Sequence, residues 1–256
     1  MRKLFALSAT VAALALVGTT VSPSAEAQWG TLKGQIILDG NLPELPALVE
    51  KGNAAAKDAA VCAAETVPDE KLVVDPASKG IKNVVVYLAK KPAKVHPDLA
   101  KSKESEVKFD QKGCRFLPHV MLVRTDQKVR VLSEDAVAHN THSNPIKNKA
   151  ENFIVSPNDR NGVLLPAMTL VERTPTKVTC DIHSWMAAYW VIIDHPYAAI
   201  TNDKGEFEIA NLPAGPHEFV VWQESCGYLE KKYAVTIKEG DNQEKPLKYT
   251  AAQILK

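Results

Sequence analysis

Cys180, His183 and Met186 recur at every third position in the run Cys180-Asp181-Ile182-His183-Ser184-Trp185-Met186. Thiolate and thioether favour a soft cuprous ion, and imidazole accepts either common oxidation state of copper. The three donor types therefore suit copper that cycles between Cu(I) and Cu(II). The spacing lets one tight loop turn all three donors toward a point. A trigonal set needs a second imidazole, and the upstream stretch Ala138-His139-Asn140-Thr141-His142 offers one. His139 is preferred over His142, because His139-Asn140 directly ends a strand-like run.

Donors in a loop need elements to hold them. Thr176–Cys180 and Ala187–Asp194 read as strands on either side of the loop, and a rigid frame limits geometric change between redox states. Strand-like runs recur along the chain at Gly34–Leu38, Val84–Leu88, His119–Arg124, Lys128–Leu132, Trp190–Ile193, Glu206–Ile209, Glu218–Trp222 and Tyr233–Ile237. They are short, rich in β-branched residues and separated by turn chemistry such as Asp39-Gly40 and Asp203-Lys204-Gly205. The fold class expected is all-β, and such spacing favours sandwiches. Two stretches break the pattern. Residues 49–66 are rich in Ala and Lys and read as room for a short helix. Residues 90–108 carry Pro92, Pro97 and many lysines and read as a solvated connector.

The two ligand segments resemble those of cupredoxins. Cys-x2-His-x2-Met followed by a strand is similar to the amicyanin ligand loop. Ser133-Glu134-Asp135-Ala136-Val137-Ala138-His139-Asn140 is similar to the plastocyanin-type turn that ends in His-Asn, with Ser133 where Asn is common. The resemblance covers about 90 residues, 106 to 196. It implies a Greek-key β-sandwich binding one type 1 copper, with His139, Cys180 and His183 as equatorial ligands and Met186 as the axial one. It also implies that Asn140 ties the two ligand segments together. Trp185 then either packs under the loop or forms an apolar contact patch around an exposed edge of His183, the electron port.

A second resemblance covers residues 197–250. Thr201-Asn202-Asp203-Lys204-Gly205-Glu206-Phe207-Glu208-Ile209 and Asn211-Leu212-Pro213-Ala214-Gly215 look like a carboxypeptidase regulatory-like (transthyretin-like) β-sandwich, with Asn202 where Asp is usual. Residues 30–40 and 81–88 look like earlier strands of that same domain. The expected organisation is a signal peptide at 1–27, a β-rich segment at 28–98, a cupredoxin-like domain at 99–196 and a second small β-sandwich at 197–256. Two arrangements stay open: a regulatory-like sandwich interrupted by an inserted cupredoxin, or two domains in series.

Residues 1–27 have a short basic start (Arg2, Lys3), an apolar run over 4–17 and a small-x-small end at Ala25-Glu26-Ala27, the pattern of a secretory signal. Export to the periplasm or cell exterior permits disulfides. Four cysteines are present: Cys62, Cys114, Cys180 and Cys226. With Cys180 as a ligand, Cys62–Cys114 is the preferred bridge, which leaves Cys226 over and in the core; the sequence alone does not fix connectivity. Without Arg2, Lys3 and Glu26, the 31 basic and 30 acidic side chains balance. No nucleic-acid partner follows from such a charge, and no segment after the leader reaches a membrane-spanning apolar length.

The function expected is an exported single-electron carrier with a redox protein as partner. It is not expected to be an enzyme, because a copper oxidase needs further histidine clusters and the chain has seven histidines. The alternatives are a surface- or carbohydrate-binding β-sandwich protein that uses the cupredoxin-like part as scaffold, and a copper delivery protein. Delivery is poorly served by a chain with only Met121, Met168 and Met186 after Met1.

Overall fold

A computed structural model describes residues 28–255. The expected signal peptide lies outside the described residues. The N-terminal part holds β1 (Trp29–Asp39), a four-residue helix α1 (Ala59–Cys62) and β2 (Val85–Leu88). The middle holds β3 (Glu106–Gln111), β4 (Phe116–Leu117), β5 (Val120–Arg124), β6 (Lys128–Val131), β7 (His139–Asn144), β8 (Asn152–Val155), β9 (Val163–Leu164), β10 (Thr176–Thr179) and β11 (Ala187–Ile193). The C-terminal part holds β12 (Ala198–Ile200), β13 (Glu206–Pro213), β14 (Gly215–Gln223), β15 (Gly227–Ile237), β16 (Gly240–Gln243), β17 (Leu247–Thr250) and the short helix α2 (Ala251–Ile254). The class is all-β, as expected.

Four sheets share these strands. Two of them, β13-β1-β16 with β17 also on β1, and β12-β2-β14-β15, enclose one apolar core. In β1, Leu32, Ile36 and Leu38 point into that core while Lys33 and Gln35 alternate to the other face, the period-two pattern of a half-buried strand. Gly34 leaves room for the Phe207 ring on the partner strand; a Cβ there would stand 2.5 Å from it. The other two sheets, β5-β11-β10-β7-β8 and β4-β3-β6-β9, enclose a second core around Phe109, Phe116 and Trp190.

The two sandwiches interleave in sequence. β1 pairs antiparallel with β13, and β2 pairs antiparallel with β14 with Phe219 opposite Leu88. The strands of the second sandwich all fall between these two partners. A third apolar cluster joins the sandwiches: Val85, Tyr87, Val220 and Trp222 on one side, Val120, Val191 and Ile193 on the other. This explains why β2 and most of β11 are apolar without alternation. Trp190 and Ile192 face the second core while Val191 and Ile193 face the junction, so both faces of the strand are buried.

The Ala- and Lys-rich stretch contains α1, as expected of it. The connector reading of 90–108 holds only in part: a short 3-10 turn occupies Pro97–Leu99 and β3 already begins at Glu106. Strand pairing with β6 over Glu106–Phe109 overrides the lysine-rich composition. Cys62 and Cys114 are joined by a disulfide. Cys226 is half-exposed rather than in the core, with its Sγ beside the Gln223 carbonyl.

Candidate metal centre

β10 and β11 pair antiparallel, with Thr179 opposite Ala187, and the loop Cys180–Met186 connects them. The loop closes on itself: Cys180 N donates to Met186 O at 3.3 Å and Met186 N donates to His183 O at 2.9 Å. β7 lies against β10 and delivers His139 at its first position, so His139-Asn140 begins a strand rather than ending one as expected. His139, Cys180 and His183 are thereby gathered so that one ligand atom from each lies within 4.8 Å of the others. Both histidines are fully buried and Cys180 is 2% exposed. Met186 is buried in the same apolar cluster as Cys180. His142 is half-buried and hydrogen-bonds Asp181 instead, so it takes no place in the cluster.

The hydrogen bonds define which nitrogens face inward. His139 Nε2 meets Asp135 Oδ2 at 2.8 Å, and His183 Nε2 meets Asp58 Oδ2 at 2.9 Å. An ionised carboxylate only accepts, so each Nε2 carries a proton and Nδ1 is the inward-facing nitrogen of each ring. The two Nδ1 atoms face one another at 2.9 Å, with Cys180 Sγ 3.8 Å from that of His183. With both Nε2 atoms protonated, the facing Nδ1 atoms and the Cys180 sulfur lie close enough to share one cation, either a proton or a metal ion. The protonation pattern agrees. Burial alone would lower the His139 pKa, yet its bonds to Asp135 and Cys180 lift it to about 9. His183 is lowered, by burial first and then by the neighbouring His139 charge, against the pull of Asp58. Burial opposes the Cys180 thiolate, but the bond to His139 and those at Asn140 and His183 bring its pKa below the ordinary thiol value.

Asn140 ties the two ligand segments. Its Oδ1 accepts from Asp181 N at 2.6 Å, from Ile182 N at 3.3 Å and from the Cys180 thiol at 3.3 Å. Its Nδ2 donates to Asp181 Oδ2 at 2.8 Å and to Asn152 Oδ1 at 2.9 Å. The amide thus fixes the start of the loop and the sulfur orientation together.

One expectation needs correction. No edge of His183 reaches solvent, because Asp58 and the chain around it cover the ring. Trp185 is half-buried, lies 5.2 Å from the His183 ring centre to centre, and donates Nε1–H to the Cys114 carbonyl at 3.1 Å. It lines a cavity of ≈ 270 Å³ together with Met186, Cys114, Arg115, His119 and Glu224. Asp58 and Asp135 were not legible as site residues. Asp135 stands four positions before His139, a local signal that was available. Asp58 had only its nearness to Cys62.

The donor set fits copper: one sulfur and two inward-facing imidazole nitrogens are gathered in a buried cluster, and the Met186 thioether belongs to the same core. No family model matches the chain, and no curated protein matches it. Among solved structures, it is similar to a copper-containing nitrite reductase from Thermus scotoductus SA-01, at 17% identity and TM-score 0.28, over 34% of this chain and 22% of that one. It therefore spans about a fifth of the nitrite reductase's length. A purple cupredoxin from Nitrosopumilus maritimus is similar at 14% identity and TM-score 0.27, over 35% of this chain and 99% of that one. A reduced amicyanin mutant is similar at 13% identity and TM-score 0.30, over 42% and 97% of the two chains.

Proposed function

We propose that this chain is an exported type 1 copper protein that carries single electrons between redox proteins and changes no substrate. The observation that carries the reading is the pair of inward-facing Nδ1 atoms, 2.9 Å apart and beside a buried thiol, each ring anchored from outside by a carboxylate. His139, Cys180 and His183 would hold the ion, with Met186 as the weak fourth donor. Copper held there supplies a one-electron couple between its cuprous and cupric states. The residues supply the frame. β7, β10 and β11 fix the ligand positions, Asn140 orients the sulfur, and the apolar core keeps water out. With the His183 edge covered, Trp185 is the ring that links the centre to the cavity surface. The interleaved first sandwich, which is read as the regulatory-like module interrupted by the copper-binding one, serves as a rigid spacer or docking surface.

Protein loaded with Cu(II) should show the intense visible band of thiolate-to-copper charge transfer, and Cys180→Ser should abolish it. A fully loaded protein without that band, or a band that survives in Cys180→Ser, overturns the reading.

A further inference from the structure

Residues 49–67 form a closed strap over the ligand loop. Val49 and Val67 pair as an isolated antiparallel bridge, and Gly52 N donates to Ala63 O at 2.8 Å inside it. Val49, Ala63 and Val67 make a small buried cluster, and Trp185 of the ligand loop packs against it. The disulfide pins the strap from within. The sulfurs of Cys62 and Cys114 and a ring nitrogen of His183 lie within 4.8 Å of one another.

Asp58 sits at the tip of this arrangement, at the N-cap of α1 with φ 52°. Aspartate is favoured at such a position because its carboxylate can accept from the first N–H groups of its own helix. Here it makes no such bond. The carboxylate turns away from the helix and accepts from His183 Nε2 instead, across 125 positions of sequence. The left-handed backbone, which Asp tolerates better than most residues, helps aim it. A side chain placed so is suited to fixing a ring rather than to ending a helix.

We propose that Asp58 is the positioning residue of the centre. It holds His183 in the Nε2–H form with Nδ1 aimed at His139 and Cys180, and its strap shuts the centre against solvent and chelators. The metal-closing half of this inference rests on the copper reading above; the positioning half does not. Partners of this kind set ligand orientation, and their loss typically weakens metal binding about 10–100-fold.

The test uses the full folded protein as wild type, Asp58→Ala and Asp58→Asn. In metal-free protein, nitrogen-15 NMR should find an exchange-protected Nε2 proton on His183. Asp58→Ala should lose it, and Asp58→Asn, which keeps an acceptor oxygen, should retain it. In Cu(II)-loaded protein challenged with EDTA, release from Asp58→Ala should be about 10–100-fold faster than wild type, with Asp58→Asn between the two. A protected proton in Asp58→Ala overturns the positioning role, and unchanged release overturns the closure. If the wild type takes up no Cu(II), the copper reading and the closure fall together. The metal-free proton measurement then decides the role of Asp58 by itself.

Discussion

The two sandwiches are built from the same element type but not from the same chemistry. The first core is Leu, Ile, Val, Phe and Tyr, with no sulfur among its buried members. The second contains Cys62, Cys114 and Cys180 together with Met121, Met168 and Met186, which are all the methionines among the described residues. Ordinary hydrocarbon suffices where a core only has to exclude water. Polarisable sulfur gathers in the core that also carries the His139, Cys180 and His183 cluster. Buried polar groups lean the same way: Ser133, Asp135, His139, Asn140 and His183 cluster on the second sandwich, against Asn83, Thr201 and Gln223 on the first. Both sandwiches bury a large apolar core, and the second also spends part of its interior on polar groups, among them His139, Asn140 and His183, that are hydrogen-bonded there.

Equal damage to the two cores should therefore have equal thermodynamic and unequal chemical consequences. Phe219 in the first core and Phe109 in the second are both fully buried. Phe109 stacks on Phe116 and meets Trp190 edge-on. Each Phe→Ala change should cost about 3–5 kcal/mol in denaturant unfolding of metal-free protein. Only Phe109→Ala should also shift the Cu(II) absorption band, because its core is the one that frames Cys180. A band shifted equally by Phe219→Ala would dissolve the division between scaffold and centre.

The disulfide sharpens where the boundary runs. Cys62 lies in the N-terminal part of the sequence, yet its side chain belongs to the second core. The bridge closes a sequence separation of 52, for which chain entropy gives about 4 kcal/mol. The double variant Cys62→Ala/Cys114→Ala should lower stability by up to that amount and free the strap to exchange its amide protons. Hydrogen exchange over residues 49–67 should rise strongly while β1 and β13 stay protected. Equal loss of protection in β1 would show that the strap supports both sandwiches.

The same contrast governs what could be read from the chain. Strands such as β1 and β13 alternate apolar and polar residues, and β2 is a short β-branched run, so each declares itself locally. The loop from Cys180 to Met186 declares itself by donor type. β7 does not: His139-Asn140-Thr141-His142-Ser143-Asn144 has no apolar period, because its buried positions hold polar groups; His139, Asn140 and Ser143 are bonded to Asp135, Asp181 and Glu151, while the Thr141 hydroxyl has no hydrogen-bond partner among the described residues. β3 hides in a charged stretch, with only Phe109 and Gln111 buried. The Asp58–His183 contact is the extreme case. It depends on a disulfide and a strap whose placement no local pattern encodes, so the sequence offers no sign that the His183 edge is covered.

The smallest expected effect lies where the two sandwiches meet. His119, just before β5, hydrogen-bonds through Nε2 to Glu224, just after β14. Its Nδ1 is 3.9 Å from Glu70, which also pairs with Arg115, and the Tyr189 ring lies edge-on at 6.1 Å. Burial by itself would lower the His119 pKa, and the Arg115 charge adds to that. Glu224 and Glu70 outweigh both, so the imidazole is held above its ordinary value. A raised folded pKa stabilises the protein fully below the unfolded value of about 6.5. The contribution fades as pH climbs through the raised value. Glu224→Gln removes the charge that holds the proton. It should cost about 1.5–3 kcal/mol at mildly acidic pH, the range for a hydrogen bond to a charged group. The difference from wild type should shrink steadily toward alkaline pH, where His119 is neutral in both proteins. Urea titrations at a series of pH values would follow this directly. A cost independent of pH would mean that the junction is held by packing of Val120, Val191 and Trp222 and not by the ion pair.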